Sequence, residues 1–394
     1  MVTLGISVYP DIRPLDEIRD YLIRASTYGY RRMFSSMFQV PGSPSEVLAL
    51  FRDLNACAHD CDMEVSLDIN PSCMKRLGAT PADLSLFADI DVDILRMDGA
   101  FDADENVAML KNEYGIQIEY NASALTPATI ADLLGHGIEK DRLLACHNFY
   151  PQRYTGFRWD RFLEVNERLS KLEIPIGAFI ASHASVSHGV WDPPCGLPTV
   201  ERLRDMAPEL QARILMAAGT TDIFFGNAYA TDDELLAVAR ATAPYTPRYL
   251  SDEHERELVE SPFVDLDRLI NSAVRVQVET VPEATEVERE ILFGFFPHVD
   301  MGDSSEWIWR SRMPRVYYQD RNIIERAYDS PEFMPGDVII VNDRYKHYAG
   351  EVQVVLRPMP NDGIRNLVGR ISPNEMYVME AIKDGDAVVF ALES

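Results

Sequence analysis

The sequence predicts an α/β protein: a (β/α)8 TIM barrel over residues 1–243, followed by a smaller β-rich domain over 250–394. Three observations lead there. Through residue 242 a short apolar run, a loop rich in Gly, Pro, Ser or Asn, and an amphipathic stretch alternate eight times. After Ala243-Pro244-Tyr245-Thr246-Pro247 that rhythm gives way to short runs parted by Gly-containing turns. The 394 residues also exceed the ~250–300 at which one core stops growing.

The expected barrel strands are residues 3–9, 31–36, 64–69, 93–98, 116–121, 142–147, 175–181 and 221–226, each preceding a helical stretch. Helix starts carry capping chemistry at Ser43-Pro44-Ser45-Glu46, Thr80-Pro81-Ala82-Asp83, Thr126-Pro127 and Thr231-Asp232-Asp233-Glu234. In the first helix, 15–28, Leu15, Ile18, Leu22 and Ala25 share a face, and Gly29 suits a left-handed cap. Eight units fit a closed barrel better than an open dinucleotide-binding sheet, and no GxGxxG or Walker sequence opens a helix. In the second domain, 272–279, 337–342, 351–356, 366–371 and 387–392 read as strands. Turns at Pro335-Gly336, Asn361-Asp362-Gly363 and Asp384-Gly385 separate several of them. The stretch 243–250 is the expected linker.

The formal charge of −26 opposes binding to nucleic acid or to an anionic membrane. A small phosphorylated substrate stays open, because a local basic pocket dominates at short range. No apolar run reaches the ~18–20 residues that span a bilayer, and Asp11 breaks the first apolar stretch early. A cytoplasmic enzyme is the expectation, with free thiols at Cys57, Cys61, Cys73, Cys146 and Cys195. Cys57, His59 and Cys61 lack a second pair at zinc spacing, so no metal is expected. A homo-oligomer is compatible with the pattern.

Catalytic residues of a barrel sit where its strands end. That rule selects Tyr9, Ser35, Ser36, Asp68, Asn70, Arg96, Asp98, Glu119, Asn121, His147, Asn148 and Asn227. Strand parity puts Arg96 with Asp98, and Glu119 with Asn121, each pair on one face. If those faces look inward, Asp98, Glu119 and Asp68 converge, and carboxylates facing one cavity are what glycoside hydrolysis needs. The competing reading makes Arg96 and Glu119 a buried ion pair, and Asp68 a residue that holds a turn. The loop CHNFYPQRYTGF, 146–157, offers an imidazole, an amide, phenols and a guanidinium that could bind a sugar, Arg153 serving an anionic group. Its alternative is a loop folded on its own aromatics. His183 and His188 either line the site or are ordinary loop residues. Cys146 and His147 point to opposite faces, so they form no nucleophilic pair, and no GxSxG elbow occurs.

Several stretches resemble a known bacterial family: LRMDGAF (95–101), IEYNAS (118–123), CHNFYPQRYTG (146–156), GLPTVERLR (196–204) and GDVIIVNDRYKHYAGEVQVVL (336–356). That family pairs a TIM barrel with a cyclophilin-like domain and includes the 6-phospho-N-acetylmuramidases. The likeness runs in order over essentially the whole chain. It implies cytoplasmic, cofactor-free hydrolysis of N-acetylmuramic acid 6-phosphate–N-acetylglucosamine during cell-wall recycling. It also implies that Asp98, Glu119, Asn121, His147, Asn148 and Tyr150 line the site and that Arg153 meets the phosphate or lactyl carboxylate. Asn342, Tyr345 and Tyr348 would close over the ligand from the second domain. The loop ASHASVSHGVWDPPCG and the strand end Gly226-Asn227 depart from the pattern, which leaves a related phosphosugar open. Two other classes compete: a sugar-phosphate sensor without chemistry, and a metal-dependent isomerase or aldolase using Asp68, Glu119 and His147.

Overall fold

A computed structural model describes residues 2–37, 39–190, 195–245 and 265–392. The chain divides into two compact units, Val2–Thr242 and Ala243–Ser394. Most of the expected linker, from Thr246 onward, lies outside the described residues.

The first unit is a closed parallel barrel. Its strands are β1 Thr3–Ser7, β2 Arg32–Ser36, β3 Glu64–Ile69, β4 Ile94–Met97, β5 Gln117–Asn121, β6 Leu143–Cys146, β7 Ile176–Ile180 and β8 Asp222–Phe225. They pair in chain order, and β1 closes the ring on β8. Closure leaves no edge with unpaired backbone groups, and successive side chains alternate between the lumen and the helix layer. On β2, Arg32, Phe34 and Ser36 share the inner face. Phe34 packs across the lumen with Cys146, Phe179 and Phe224, and Phe149 covers the cluster. Phe34 of β2, Phe179 of β7 and Phe224 of β8 thus fill one part of the barrel, while charged groups from β2–β5 and Asp222 at the start of β8 occupy another.

The helices obey their local chemistry. Ser43 and Glu46 form a reciprocal capping box, Thr126 accepts from Thr129 N at 3.1 Å, and Thr231 and Glu234 bond each other's backbone N–H. The helix Leu15–Thr27 buries Ile18, Tyr21, Leu22 and Ala25, and Gly29 follows at φ +90°. Thr80 differs from expectation. It forms a tight turn with Asp83, whose carboxylate accepts from Ser85 N at 3.0 Å, so helix begins only at Ser85. The acidic side chain caps the next turn instead of extending the first. Among the described residues no helix is long and apolar enough to cross a membrane.

The second unit is a nearly closed, barrel-like β structure. Its strands are β9 Val274–Thr280, β10 His298–Val299, β11 Ile308–Ser311, β12 Glu332–Phe333, β13 Asp337–Val341, β14 Val352–Val355, β15 Met359–Pro360, β16 Arg365–Arg370 and β17 Ala387–Leu392. Seven form one sheet in the order β10-β17-β9-β16-β13-β14-β11, and β12 pairs with β15. The four strands absent from the sequence reading, β10, β11, β12 and β15, have four residues or fewer, too short for a period-2 pattern to stand out.

Candidate active site

The charged side of the barrel is a continuous string. Arg32 donates to Asp222 at 2.9 Å and to Glu119 at 3.0 Å. Arg96 lies 3.8 Å from the other Glu119 oxygen and donates to Asp68 at 2.8 Å. All five side chains are nearly excluded from solvent. Two guanidiniums therefore face three carboxyl groups, one acid too many for full pairing. Burial is the chief reason the Asp68 carboxyl is pushed up to about 6, with Arg96 opposing and Asp98 reinforcing the effect. Glu119 adds to it electrostatically. Asp68 thus holds its proton to higher pH than an ordinary aspartate.

Asp68 opens onto a hollow of about 90 Å³ at the C-terminal rim, lined by Ser36, Gln39, Asp68, Arg96, Asp98, Asn148, Phe149 and Val190. Asp98 stands half-buried just past β4, and its backbone N–H donates to Ile69 O at 2.8 Å. The next residue, Gly99, adopts φ +144°, and a Cβ there would meet Pro71 at 2.9 Å, so the turn that carries Asp98 demands glycine. Arg96 also donates to Asn148 Oδ1. Ser36 is 5% exposed, yet its hydroxyl has no hydrogen-bond partner. A buried hydroxyl left unpaired is costly, and this one lines the hollow.

Other expected residues land elsewhere. Glu119 does not reach the hollow: it is 1% exposed and spends its carboxylate on the two arginines. Register explains this. Glu119 pairs with Arg96, so it lies two residues deeper than Asp98, about 6.6 Å along a strand. The residue of β5 at the level of Asp98 is Asn121, and its Oδ1 accepts from the Ser123 N–H and hydroxyl. Strand β5 therefore sends no carboxylate to the rim. Ser35 faces away from the lumen and donates to Val8 O at 2.8 Å. Parity favours its neighbour Ser36, which pairs in register with Asp68.

His147 also faces outward. It bonds Asn166 at 2.8 Å and packs on Phe157 and Phe162, and burial lowers it to about 4. Asp68, Glu119 and His147 consequently do not converge. Among the described residues no three His, Cys, Asp or Glu side chains are placed to hold a metal ion. All five cysteines are free thiols. Tyr9 is buried and donates to Gly226 O at 2.5 Å. Asn227 is bonded on both sides to the Ser182 backbone and to Ser187. Tyr150 is half-buried and stacks on Phe157.

Arg153 makes a bidentate pair with Asp205, at 2.7 and 2.8 Å. With Asn227 and His183 it lines a separate hollow of about 350 Å³, which leaves Arg153 outside the Asp68–Asp98 hollow. His183 itself bonds Arg204 O at 2.9 Å, whereas neither ring nitrogen of His188 has a partner. The expected departure loop runs partly through residues 191–194, which lie outside the described residues. In the second unit, Asn342 is buried and its amide donates to Gly363 O and Asn366 Oδ1, a supporting role within that unit. Tyr345 is 49% exposed and stacks on Tyr348 at 4.9 Å.

Comparison with known proteins covers both units. Residues 4–240 match the N-terminal model, and residues 274–391 the C-terminal model, of the 6-phospho-N-acetylmuramidases. The crystal structure of an uncharacterized B. cereus protein is similar with a TM-score of 0.78 and 32% identity, over 99% of this chain and 100% of that one. A conserved Enterococcus faecalis protein of unknown function matches with a TM-score of 0.60 and 23% identity, over 100% and 97%. No curated protein matches.

Proposed function

The chain belongs to the 6-phospho-N-acetylmuramidase family, and from that premise we propose that it hydrolyses a phosphorylated amino-sugar glycoside with Asp68 and Asp98 as its working pair. The observation that carries this reading is two carboxyl groups sharing one hollow in unlike surroundings, Asp68 buried against Arg96 and Asp98 half open. Such a difference separates an acid from an ionised partner. Asp68 gives its proton to the departing glycosidic oxygen. Asp98 supplies negative charge to the oxocarbenium-like carbon that this departure creates, and water then bonds that carbon and returns a proton to Asp68. Arg96, held by Asp68 and Asn148, fixes the acid in place. The unpaired Ser36 hydroxyl is available to a substrate hydroxyl, and Phe149 and Val190 give the hollow an apolar wall.

Family membership supports N-acetylmuramic acid 6-phosphate–N-acetylglucosamine as the substrate, a small molecule met in the cytoplasm during cell-wall recycling. The test is direct. Purified protein is expected to release N-acetylglucosamine from that disaccharide, and Asp68→Asn and Asp98→Asn are each expected to lower the rate by about 10²–10⁴. Asp98→Asn should melt near the wild-type temperature, and Asp68→Asn should keep a cooperative unfolding transition. A wild-type protein that releases nothing, or two variants at the wild-type rate, sinks the proposal.

A further inference from the structure

Tyr154 stands on the loop after β6 in a conformation that nothing in its own packing offsets. Its φ is +68°, a region in which a bulky residue is strained. Its side chain is 88% exposed, so burial of the ring contributes little in return. Glycine would suit this backbone better.

The loop is nevertheless held firmly. Glu201 accepts the Tyr154 and Gly156 N–H groups, both at 2.7 Å. Glu201 is gripped by the buried Arg204 at 2.6 and 2.9 Å, a pairing that lowers its carboxyl to about 2. Arg204 also donates to Gln152 O at 3.2 Å. A Cβ on Gly156 would come within 2.7 Å of Glu201 backbone atoms, so the two segments touch as closely as backbone permits. A strained aromatic displayed on a braced loop is arranged for something outside the chain.

The surroundings name the class of ligand. Arg153, next to Tyr154 in the chain, pairs bidentately with Asp205, and the two line the 350 Å³ hollow with Ser185, Ser187 and His183; Tyr154 stands outside that lining. Each arginine there already has an acid, Arg153 with Asp205 and Arg204 with Glu201, so the hollow offers no surplus positive charge for a phosphate. Hydroxyl, imidazole and planar ion-pair groups, with an exposed phenol on the residue next to Arg153, suit a neutral hydroxylated ring, which offers hydroxyls to bond and a C–H face to stack. We propose that Tyr154 and the Arg153–Asp205 pair form a platform for a neutral N-acetylated sugar ring. The choice of an N-acetylated sugar rests on the hydrolase reading above.

The probe is N-acetylglucosamine alone, titrated into the full chain and followed by NMR. Tyr154→Ala and Tyr154→Gly should weaken binding about tenfold, and Tyr154→Phe should bind as wild type does. Tyr154→Gly should melt at or above the wild-type temperature, because glycine accepts the positive φ. Absence of wild-type binding, unchanged affinity in Tyr154→Ala, or a lowered melting temperature in Tyr154→Gly would each overturn the platform. The titration requires no turnover, so a chain that binds the sugar without cleaving a glycoside refutes the hydrolase and leaves the platform standing.

Discussion

At the scale of single residues, the decisive feature is a carboxyl group that cannot be fully neutralised. Asp68 is raised from its ordinary value to about 6, mainly by burial. As the proposed acid it must carry its proton, so the rate should fall as pH rises through about 6. Removing the Glu119 charge frees Arg96 for Asp68 and takes away a like charge. Glu119→Gln should then move that alkaline limb down by about one pH unit, and a rate profile across pH 4–9 checks it. The same group acts on stability. The folded chain holds the proton more tightly than the unfolded one, so stability present below the unfolded value of about 3.9 is lost as pH rises through about 6. The loss is about 3 kcal/mol, and Asp68→Asn should abolish this slope in denaturant titrations.

At the scale of elements, strand ends and the loops that brace them position the site. Parity along β4 and β5 was readable from sequence, and it grouped Arg96 with Asp98 and Glu119 with Asn121. Depth was not readable. Which residues lie level depends on the stagger between neighbouring strands, and that is set by barrel closure. The β8 end shows how tightly the rim is built. A Cβ on Gly226 would approach Leu197 O at 2.3 Å, and Gly226 O already accepts from Tyr9. Gly226→Ala should therefore cost about 1–3 kcal/mol, measurable as a lowered denaturant midpoint. Because the β1 and β8 ends share that bond, hydrogen exchange should quicken at both.

At the scale of the molecule, each unit buries a neutral imidazole. His147 in the barrel and His298 in the second unit are both lowered to about 4 by burial. Each is lowered in the folded state, so its stabilisation is present above about 6.5 and lost as pH falls toward 4, about 3 kcal/mol apiece. Within the barrel Asp68 runs the opposite way and offsets His147, whereas the described part of the second unit has no buried carboxyl raised as far. Acidification from pH 7 to 4.5 should loosen the second unit first. Hydrogen exchange resolved by peptide would show it around His298–Ser311 before β1–β8, and equal loosening of both units would contradict the assignment.

The sequence by itself determined the architecture, because alternation, helix caps and turn residues are local and repeat eight times before the rhythm changes. It also put Asp68, Asp98 and Glu119 among its strand-end candidates, since polar residues ending apolar strands are visible one strand at a time. Only the tertiary structure decided that Glu119 belongs to a buried ion-pair string, that Ser36 and not Ser35 lines the hollow, and that His147 faces the helix layer. Those outcomes depend on what stands opposite a side chain across the lumen or the helix interface. Such partners are set by closure and register, and they come from residues as much as 190 positions away in sequence, as Asp222 does for Arg32.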